Sequence, residues 1–326
     1  MGLSSLLVTN ITVLVSGLAA FALIVTLIFV LASRAKVTTQ EWLRYLVFLG
    51  PAALLLLIGL IGPAIRTLYL SFMNASGEEF VGFDNYVWAF TRPEILLVLR
   101  NTLIWVIVAP LFSTLLGLII AYLTDRMKGG AWVKSLIFMP MAISFVGAGI
   151  IWRFVYSFQP SESKPDIGLL STVAKGLGFD PPNWLLEAPL NTFLLIVVMV
   201  WIQTGFAMVV LGAAMKAIPD EVVEASMLDG ASQWKRFVRV TVPMIRSSIV
   251  VVLSTITIAT LKVFDIVRTM TGGNFQTSVI ANEMYTQAFR ALNYGTGSAL
   301  AIILFVGVLP IVAYNIRQLR LERTER

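Results

Sequence analysis

The chain of 326 residues is 58% hydrophobic and only 13% charged, and its formal net charge is +6. Soluble domains carry about a quarter charged residues, so this composition predicts an integral membrane protein. A mean hydropathy of +0.86 agrees with that class. The sequence has no cysteine and no histidine, which excludes disulfides, Cys/His metal sites and histidine-based catalysis. Among catalytic mechanisms, this sequence permits only carboxylate- or lysine-based chemistry.

Seven apolar runs are long enough, or nearly so, to cross a hydrocarbon core, which takes about 17–25 helical residues. Continuous apolar character over such lengths predicts helices and not the alternating strands of a membrane barrel. We therefore predict an all-α bundle of about seven transmembrane helices. The runs cover approximately residues 11–33, 45–71, 99–123, 132–157, 190–215, 248–267 and 298–316.

Lysine and arginine are concentrated in alternate connections between these runs, which predicts that those connections are cytoplasmic. The N-terminus would then lie outside and the C-terminus inside. The basic excess therefore indicates membrane topology and not a nucleic-acid partner. The first run lacks a basic leading segment and is too long for a signal peptide, so we predict a retained span. The basic connections are residues 34–44, 124–134, 216–246 and 317–326.

A polar stretch between the fifth and sixth runs, EVVEASMLDGASQWKRF from Glu221, interrupts the apolar pattern. Pro219 suits a first helical position, and Gly230 suits the residue that follows a helix C-terminus. Ser232 can cap a second short helix before Pro243. The stretch therefore predicts a helix–turn–helix along the cytoplasmic face. A solvated loop with helical turns is the alternative.

The spacing within this stretch is specific. EAS begins at Glu224, Gly230 follows after three residues, and V-x-V-P ends at Pro243 after nine more. This pattern resembles the E-A-A-x-x-x-G-x9-I-x-L-P coupling loop of ATP-binding cassette importer permeases. The strings WIQTGFAMVVLGAAMKAIPD and FDIVRTMTGGNFQTSVIANEMYTQAF resemble the carbohydrate branch, with its maltose-type larger permease subunit. Within that branch the likeness is to alpha-glucoside permeases.

The resemblance implies a type I importer permease fold with cytoplasmic coupling helices. It covers roughly residues 45–320, which we expect to form the permease core with its coupling loop at 219–243. Residues 1–44 would add one transmembrane helix and a linker, and residues 321–326 a cytoplasmic tail. The expected location is a bacterial inner membrane.

The resemblance also implies the partners. The chain has no G-x-x-x-x-G-K-[ST] phosphate loop, so ATP hydrolysis must come from a separate subunit. We expect two ATPase copies, a second permease subunit, an extracytoplasmic sugar-binding protein and surrounding membrane lipid. The binding protein would dock on the outward connections at 72–98 and 158–189. No cofactor, metal or catalytic residue is expected.

Six residues are predicted to couple the chain to the ATPase. Glu224 would meet a basic or backbone donor, two small residues would permit close approach, and Gly230 would form the turn. Asp229 would bridge to the second helix, or it is merely solvated. The six are Glu224, Ala225, Ser226, Asp229, Gly230 and Pro243.

Another six residues are predicted to line the sugar path. Uncharged sugars are bound by aromatic faces and by amide or hydroxyl groups, so polar residues inside spans are candidates. The alternative is structural, because threonines in membrane helices often bond back to their own carbonyls and phenylalanine usually packs. The six are Gln203, Phe206, Thr257, Thr260, Val263 and Phe264.

Two other functional classes fit the sequence less well. A secondary transporter driven by an ion gradient should carry ionisable residues near the middle of the bilayer. This chain has almost none there, and such a transporter would leave the polar stretch unexplained. A membrane-embedded enzyme would need convergent acid, base or metal ligands, which the sequence does not provide.

Overall fold

The computed structural model describes residues 49–50, 52–125, 127–159 and 167–324, with scattered positions between 11 and 30. Within these residues every regular element is a helix, and one isolated β-bridge joins Met73 to Phe80. The chain divides into two compact units, Met1–Arg66 and Thr67–Arg326. Most of the predicted first span and all of its linker lie outside the described residues.

The helices are numbered here in chain order. They are α1 (Ala52–Leu70), α2 (Asp84–Thr91), α3 (Pro93–Asp125), α4 (Gly130–Ala142), α5 (Phe145–Val155), α6 (Leu169–Gly176), α7 (Leu190–Lys216), α8 (Asp220–Leu228), α9 (Gln233–Met244), α10 (Arg246–Leu261), α11 (Asp265–Met270), α12 (Ile280–Tyr285) and α13 (Tyr294–Thr324). The last turn of α4 is a 3-10 helix, and α9 contains a π-helical turn at Phe237–Thr241.

Four of these helices are long and apolar enough to cross a membrane: α1, α3, α7 and the first 22 residues of α13. Two bent pairs raise the number of spans in the described part of the chain to six if each pair crosses once. The helices of the α4–α5 pair meet at 104°, and those of the α9–α10 pair meet at 70°. Four of the seven predicted runs are thus continuous helices.

The predicted fourth and sixth runs are wrong as single helices. The fourth breaks because a 3-10 turn at Met139–Ala142 ends α4 and Ser144 caps α5, its side chain accepting from the Gly147 amide at 3.0 Å. The sixth ends at Leu261. Val263 and Phe264 therefore lie in the break before α11 and not inside a span.

The helix α7 is the most enclosed of the spans. In its most apolar window 67% of the residues are buried, against 39% for α3 and 22% for α13. The main apolar cluster packs α7 against α3, α5 and α11, with Trp105, Met199 and Ile266 at its centre. A second cluster around Leu211 and Phe237 lies where α7 approaches the polar stretch. The core of unit 2 is therefore organised around α7.

Close contact between α3 and α7 depends on Gly117. A Cβ at this position would lie 2.5 Å from the Cβ of Ala207 and 2.7 Å from the backbone nitrogen of Met208. Real side chains do not approach so closely, so only glycine allows the two backbones to meet here. Small residues serve this purpose in membrane bundles, where close van der Waals packing holds helices together.

Polar contacts identify the two ends of the bundle. At one end the Asp125 carboxylate lies 3.6 Å from the Lys134 ammonium and 3.8 Å from that of Lys216. We call this the coupling-loop end, because the polar stretch also lies here. At the opposite end the Tyr294 amide donates to the Ala75 carbonyl at 2.9 Å. The basic connections at 124–134 and 216–246 thus share one end, as their charge pattern predicts.

The Gly117 contact gives a stability prediction. Gly117→Ala should lower the free energy of unfolding by about 1–3 kcal/mol, the usual cost of overpacking. Gly212→Ala is the matched control, since its new methyl group would lie 3.6 Å from the Ala121 Cβ, an ordinary contact. The measurement is the thermal unfolding midpoint in detergent. Equal midpoints for the two variants would contradict the packing account.

Candidate functional site

The polar stretch folds as a helix–turn–helix. Its first helix, α8, begins after Pro219, one residue later than the sequence predicts. It closes with two bonds that satisfy the terminal carbonyls: Ala231 N–H to the Ser226 carbonyl at 3.2 Å, and Gly230 N–H to the Met227 carbonyl at 3.0 Å. This Schellman turn needs a positive φ at Gly230, which has φ +72°.

The second half of the stretch is anchored to the bundle. Ser232 caps α9, its hydroxyl accepting from the Lys235 amide at 3.4 Å. Phe237 is buried, and its ring centroid lies 4.4 Å from that of Tyr122 at the end of α3. Phe237 also belongs to the cluster around Leu211, so the stretch packs against both α3 and α7.

Five of the six predicted coupling residues face solvent. The exposed residues are Glu224, Ala225, Asp229, Gly230 and Pro243. Ser226 is the exception: it is buried, and its hydroxyl donates to the Val223 carbonyl at 2.6 Å. Its small side chain therefore packs inward, beneath the exposed part of the loop, and the coupling role of Ser226 stays a prediction.

Sequence reasoning missed the apolar part of this surface. Leu228 is 89% exposed and Trp234 is 70% exposed, on either side of the turn. Two large apolar side chains that project from a polar loop are typical of a docking surface. Their signal in the sequence is weak, because apolar residues at helical spacing are usually taken as core.

The six predicted sugar-path residues do not meet in one cavity. Gln203 is buried in α7, while Phe206 packs against the cluster at the coupling-loop end. Val263 is buried in the main cluster, and Phe264 pairs with Tyr285 at a centroid distance of 5.1 Å. A cavity of about 810 Å³ is lined instead by other residues, on α5, on α11 and on neighbouring loops.

The polar groups among these six differ in their bonding. The Thr257 hydroxyl donates to the Leu253 carbonyl and the Thr260 hydroxyl to the Ile256 carbonyl, both at 2.7 Å. These bonds fit the structural alternative for the threonines. Gln203 differs, because its side chain makes no hydrogen bond within the part of the chain that the structure describes, although it is only 9% exposed.

The segment after α11 is held by long-range hydrogen bonds that the sequence did not reveal. The Asn101 amide donates to the carbonyls of Gln276 at 2.6 Å and Ser278 at 3.1 Å. The Asn191 amide donates to the Phe275 carbonyl at 2.8 Å. Phe275 and Gln276 adopt positive φ values of 54° and 62°. Side chains of α3 and α7 thus fix this segment at the end opposite the coupling loop.

Comparison with known proteins gives the class. Residues 97–325 match the family described as the binding-protein-dependent transport system inner membrane component. The chain belongs to this family: it is a multi-pass inner-membrane permease subunit of an ATP-binding cassette importer. The predicted resemblance is therefore confirmed, and the role is transport and not catalysis. The alternative of an ion-driven secondary transporter is wrong.

Individual relatives are similar over most of their length. The osmoprotective compounds uptake permease protein GgtC of Synechocystis is 47% identical over 279 residues, which cover 86% of this chain and 100% of the relative. The alpha-glucoside transport system permease protein AglF of Rhizobium meliloti is 45% identical over 285 residues, which cover 87% of this chain and 83% of the relative.

Solved structures support the fold. A chain of a bacterial ABC transporter involved in the import of the acidic polysaccharide alginate aligns with a TM-score of 0.73 and 24% identity. The alignment covers 86% of this chain and 96% of that chain. The predicted all-α importer permease fold is therefore confirmed.

Proposed function

We propose that this permease moves an oligosaccharide or a glucoside into the bacterial cytoplasm by alternating access. An alpha-glucoside such as maltose, sucrose or trehalose is the preferred cargo. The names of GgtC and AglF give osmoprotective compounds and alpha-glucosides as the cargo of those relatives. The observation that supports the proposal is the amide of Gln203 inside the most enclosed span, which makes no hydrogen bond to the described residues.

The chemistry of Gln203 suits a sugar. Its side chain carries one acceptor and two donor hydrogens, and it is 9% exposed with no hydrogen bond to the described part of the chain. Sugar hydroxyls both donate and accept, so a passing sugar would satisfy this amide. We retain Phe206, Thr257, Thr260, Val263 and Phe264 as further candidates.

We further propose that the 219–243 loop docks into an ATPase subunit on the cytoplasmic side. The exposed positions Glu224, Ala225, Asp229 and Gly230, flanked by Leu228, support this assignment. The rigid Schellman turn and the buried Phe237 anchor allow the loop to act as a lever on the spans. Ser226 and Pro243 then shape the loop: the first packs beneath it, and the second lies in its second helix.

The complete transporter in this proposal has two ATPase copies, a second permease subunit and an extracytoplasmic sugar-binding protein. The binding protein docks on the connections at 72–98 and 158–189. These connections lie on the outer side because the proposal places the N-terminus outside and the C-terminus inside. Residues 45–320 form the permease core, 1–44 add a helix and linker, and 321–326 form a tail.

The coupling assignment predicts a strong effect of Gly230→Val. Valine at a positive φ is strained by about 1–3 kcal/mol, which would distort the turn that presents the loop. We expect at least a roughly tenfold loss of uptake, since tenfold corresponds to about 1.4 kcal/mol. Gly129→Val is the matched control, because Gly129 has φ +83° at the same end with open space around it.

The assay is uptake of a radiolabelled alpha-glucoside by proteoliposomes that contain the whole transporter, with binding protein outside, ATP enclosed and a protonophore present. Wild-type uptake that needs ATP under these conditions supports the proposed function. Uptake that instead needs an ion gradient contradicts it. Equal uptake by the Gly230→Val and Gly129→Val variants would contradict the proposed role of the loop in coupling.

The sugar-path assignment predicts a different signature for Gln203→Leu. Loss of the amide should raise the sugar concentration for half-maximal uptake by about tenfold, with the basal ATPase rate unchanged. Thr255→Val serves as the control, since this exposed hydroxyl bonds only to the Val251 carbonyl of its own helix. An unchanged concentration dependence in Gln203→Leu would exclude Gln203 from the site.

A further inference from the structure

A second cavity, of about 450 Å³, lies at the coupling-loop end of the bundle. Its walls come from the last turns of α3 and α7, the first turn of α8 and the π-helical turn of α9. The polar groups that line it belong to Tyr122, Asp125, Lys216, Asp220, Arg236 and Thr241. None of these residues is among the predicted coupling or sugar-path residues.

Arg236 is the unusual member of this lining. It is only 8% exposed, and its guanidinium makes no ion pair or hydrogen bond within the part of the chain that the structure describes. An arginine stays charged at any pH the protein meets. Buried charges are normally paired, because their desolvation is costly. The cavity therefore presents a buried cation that lacks a counter-ion among the described residues.

The neighbouring charges do not supply that counter-ion. Asp125 shares one carboxylate oxygen between Lys134 at 3.6 Å and Lys216 at 3.8 Å, so two cations already neutralise it. Asp220 is exposed in the first turn of α8, where the helix dipole stabilises a carboxylate. Two cations of the lining, Lys216 and Arg236, thus face two carboxylates, and neither carboxylate forms an ion pair with Arg236 in the described part of the chain.

We propose that this cavity binds a phosphate group, which pairs with the guanidinium of Arg236. The planar fork of arginine matches two phosphate oxygens at once. The cavity lies where two membrane-spanning helices end, which is the depth of lipid headgroups, and basic pockets in such positions bind anionic headgroups. The phosphate belongs either to an anionic phospholipid or to a free anion, and both would be held by the same residues.

The test uses the full-length permease with its partner subunits and has two arms. In the first, binding of radiolabelled inorganic phosphate is measured by equilibrium dialysis in detergent at constant ionic strength. In the second, the same protein is reconstituted into nanodiscs of phosphatidylglycerol or phosphatidylcholine. Native mass spectrometry then counts the lipids that stay bound to the protein. Neither readout depends on transport, so failure of the sugar proposal would leave this test intact.

Arg236→Gln should lower occupancy by at least roughly tenfold in one arm, because a charge-assisted bidentate pair is lost. Arg239→Gln is the matched control: it removes the same charge from an exposed arginine three positions away, and we expect less than about a twofold change. Loss in the phosphate arm alone identifies a free anion as the ligand, and loss in the phosphatidylglycerol arm alone identifies a lipid headgroup.

Equal occupancy in wild type and Arg236→Gln in both arms would overturn the proposal. Arg236→Lys is a second variant, for use if Arg236→Gln fails to fold. It keeps the positive charge and removes only the planar guanidinium fork. It should bind more weakly than wild type and more tightly than Arg236→Gln. If only Arg236→Lys folds, binding equal to wild type in both arms contradicts the guanidinium–phosphate pair.

Discussion

The seam between α3 and α7 is the contact on which the rest of unit 2 depends. At Gly117 the two backbones meet with no room for a side chain, and the main apolar cluster extends from this seam to α5 and α11. Within lipid the hydrophobic effect does not drive helices together, so close packing of this kind must hold the bundle together. One end of the seam carries the 219–243 loop, and the other carries the segment after α11.

The two ends are fastened in different ways. At the coupling-loop end the seam terminates in the Asp125 ion pairs, and Phe237 packs on Tyr122 beside them. At the opposite end Asn101 and Asn191 hold the segment after α11. Gln203 and the last turn of α7 are separated by about 20 Å of one continuous helix at 1.5 Å per residue. In the proposed function, this helix carries a displacement of the loop to the sugar path.

Local chemistry made part of this structure predictable. Gly230 and Ser232 form the turn and the cap that their residue types require, because those bonds join neighbours in the chain. Four of the seven apolar runs are continuous helices for the same reason. The family itself followed from the spacing of Glu224, Gly230 and Pro243, which few unrelated loops would reproduce.

Tertiary contacts determine the features that the sequence did not reveal. The break after Leu261 has no proline or glycine to mark it, and α11 beyond the break packs against α5. Burial of Ser226 follows from how the loop sits on the bundle. Residue type alone makes Gln203 a candidate, but its lack of a partner among the described residues is visible only in the fold. In the sequence Arg236 is one of several basic residues of the 216–246 connection, and its burial is likewise visible only in the fold.

The proposed coupling role requires the 219–243 loop to face the cytoplasm and to meet an ATPase there. The cysteine-free sequence permits a direct measurement, in which a thiol at the exposed Leu228 is labelled with a membrane-impermeant maleimide. Leu228→Cys should react only in inside-out vesicles, and the bound ATPase should protect it. Phe80→Cys, at an exposed position in the 72–98 connection, should react only in right-side-out vesicles. Labelling of Leu228→Cys from outside, or equal labelling with and without the ATPase, would contradict the account.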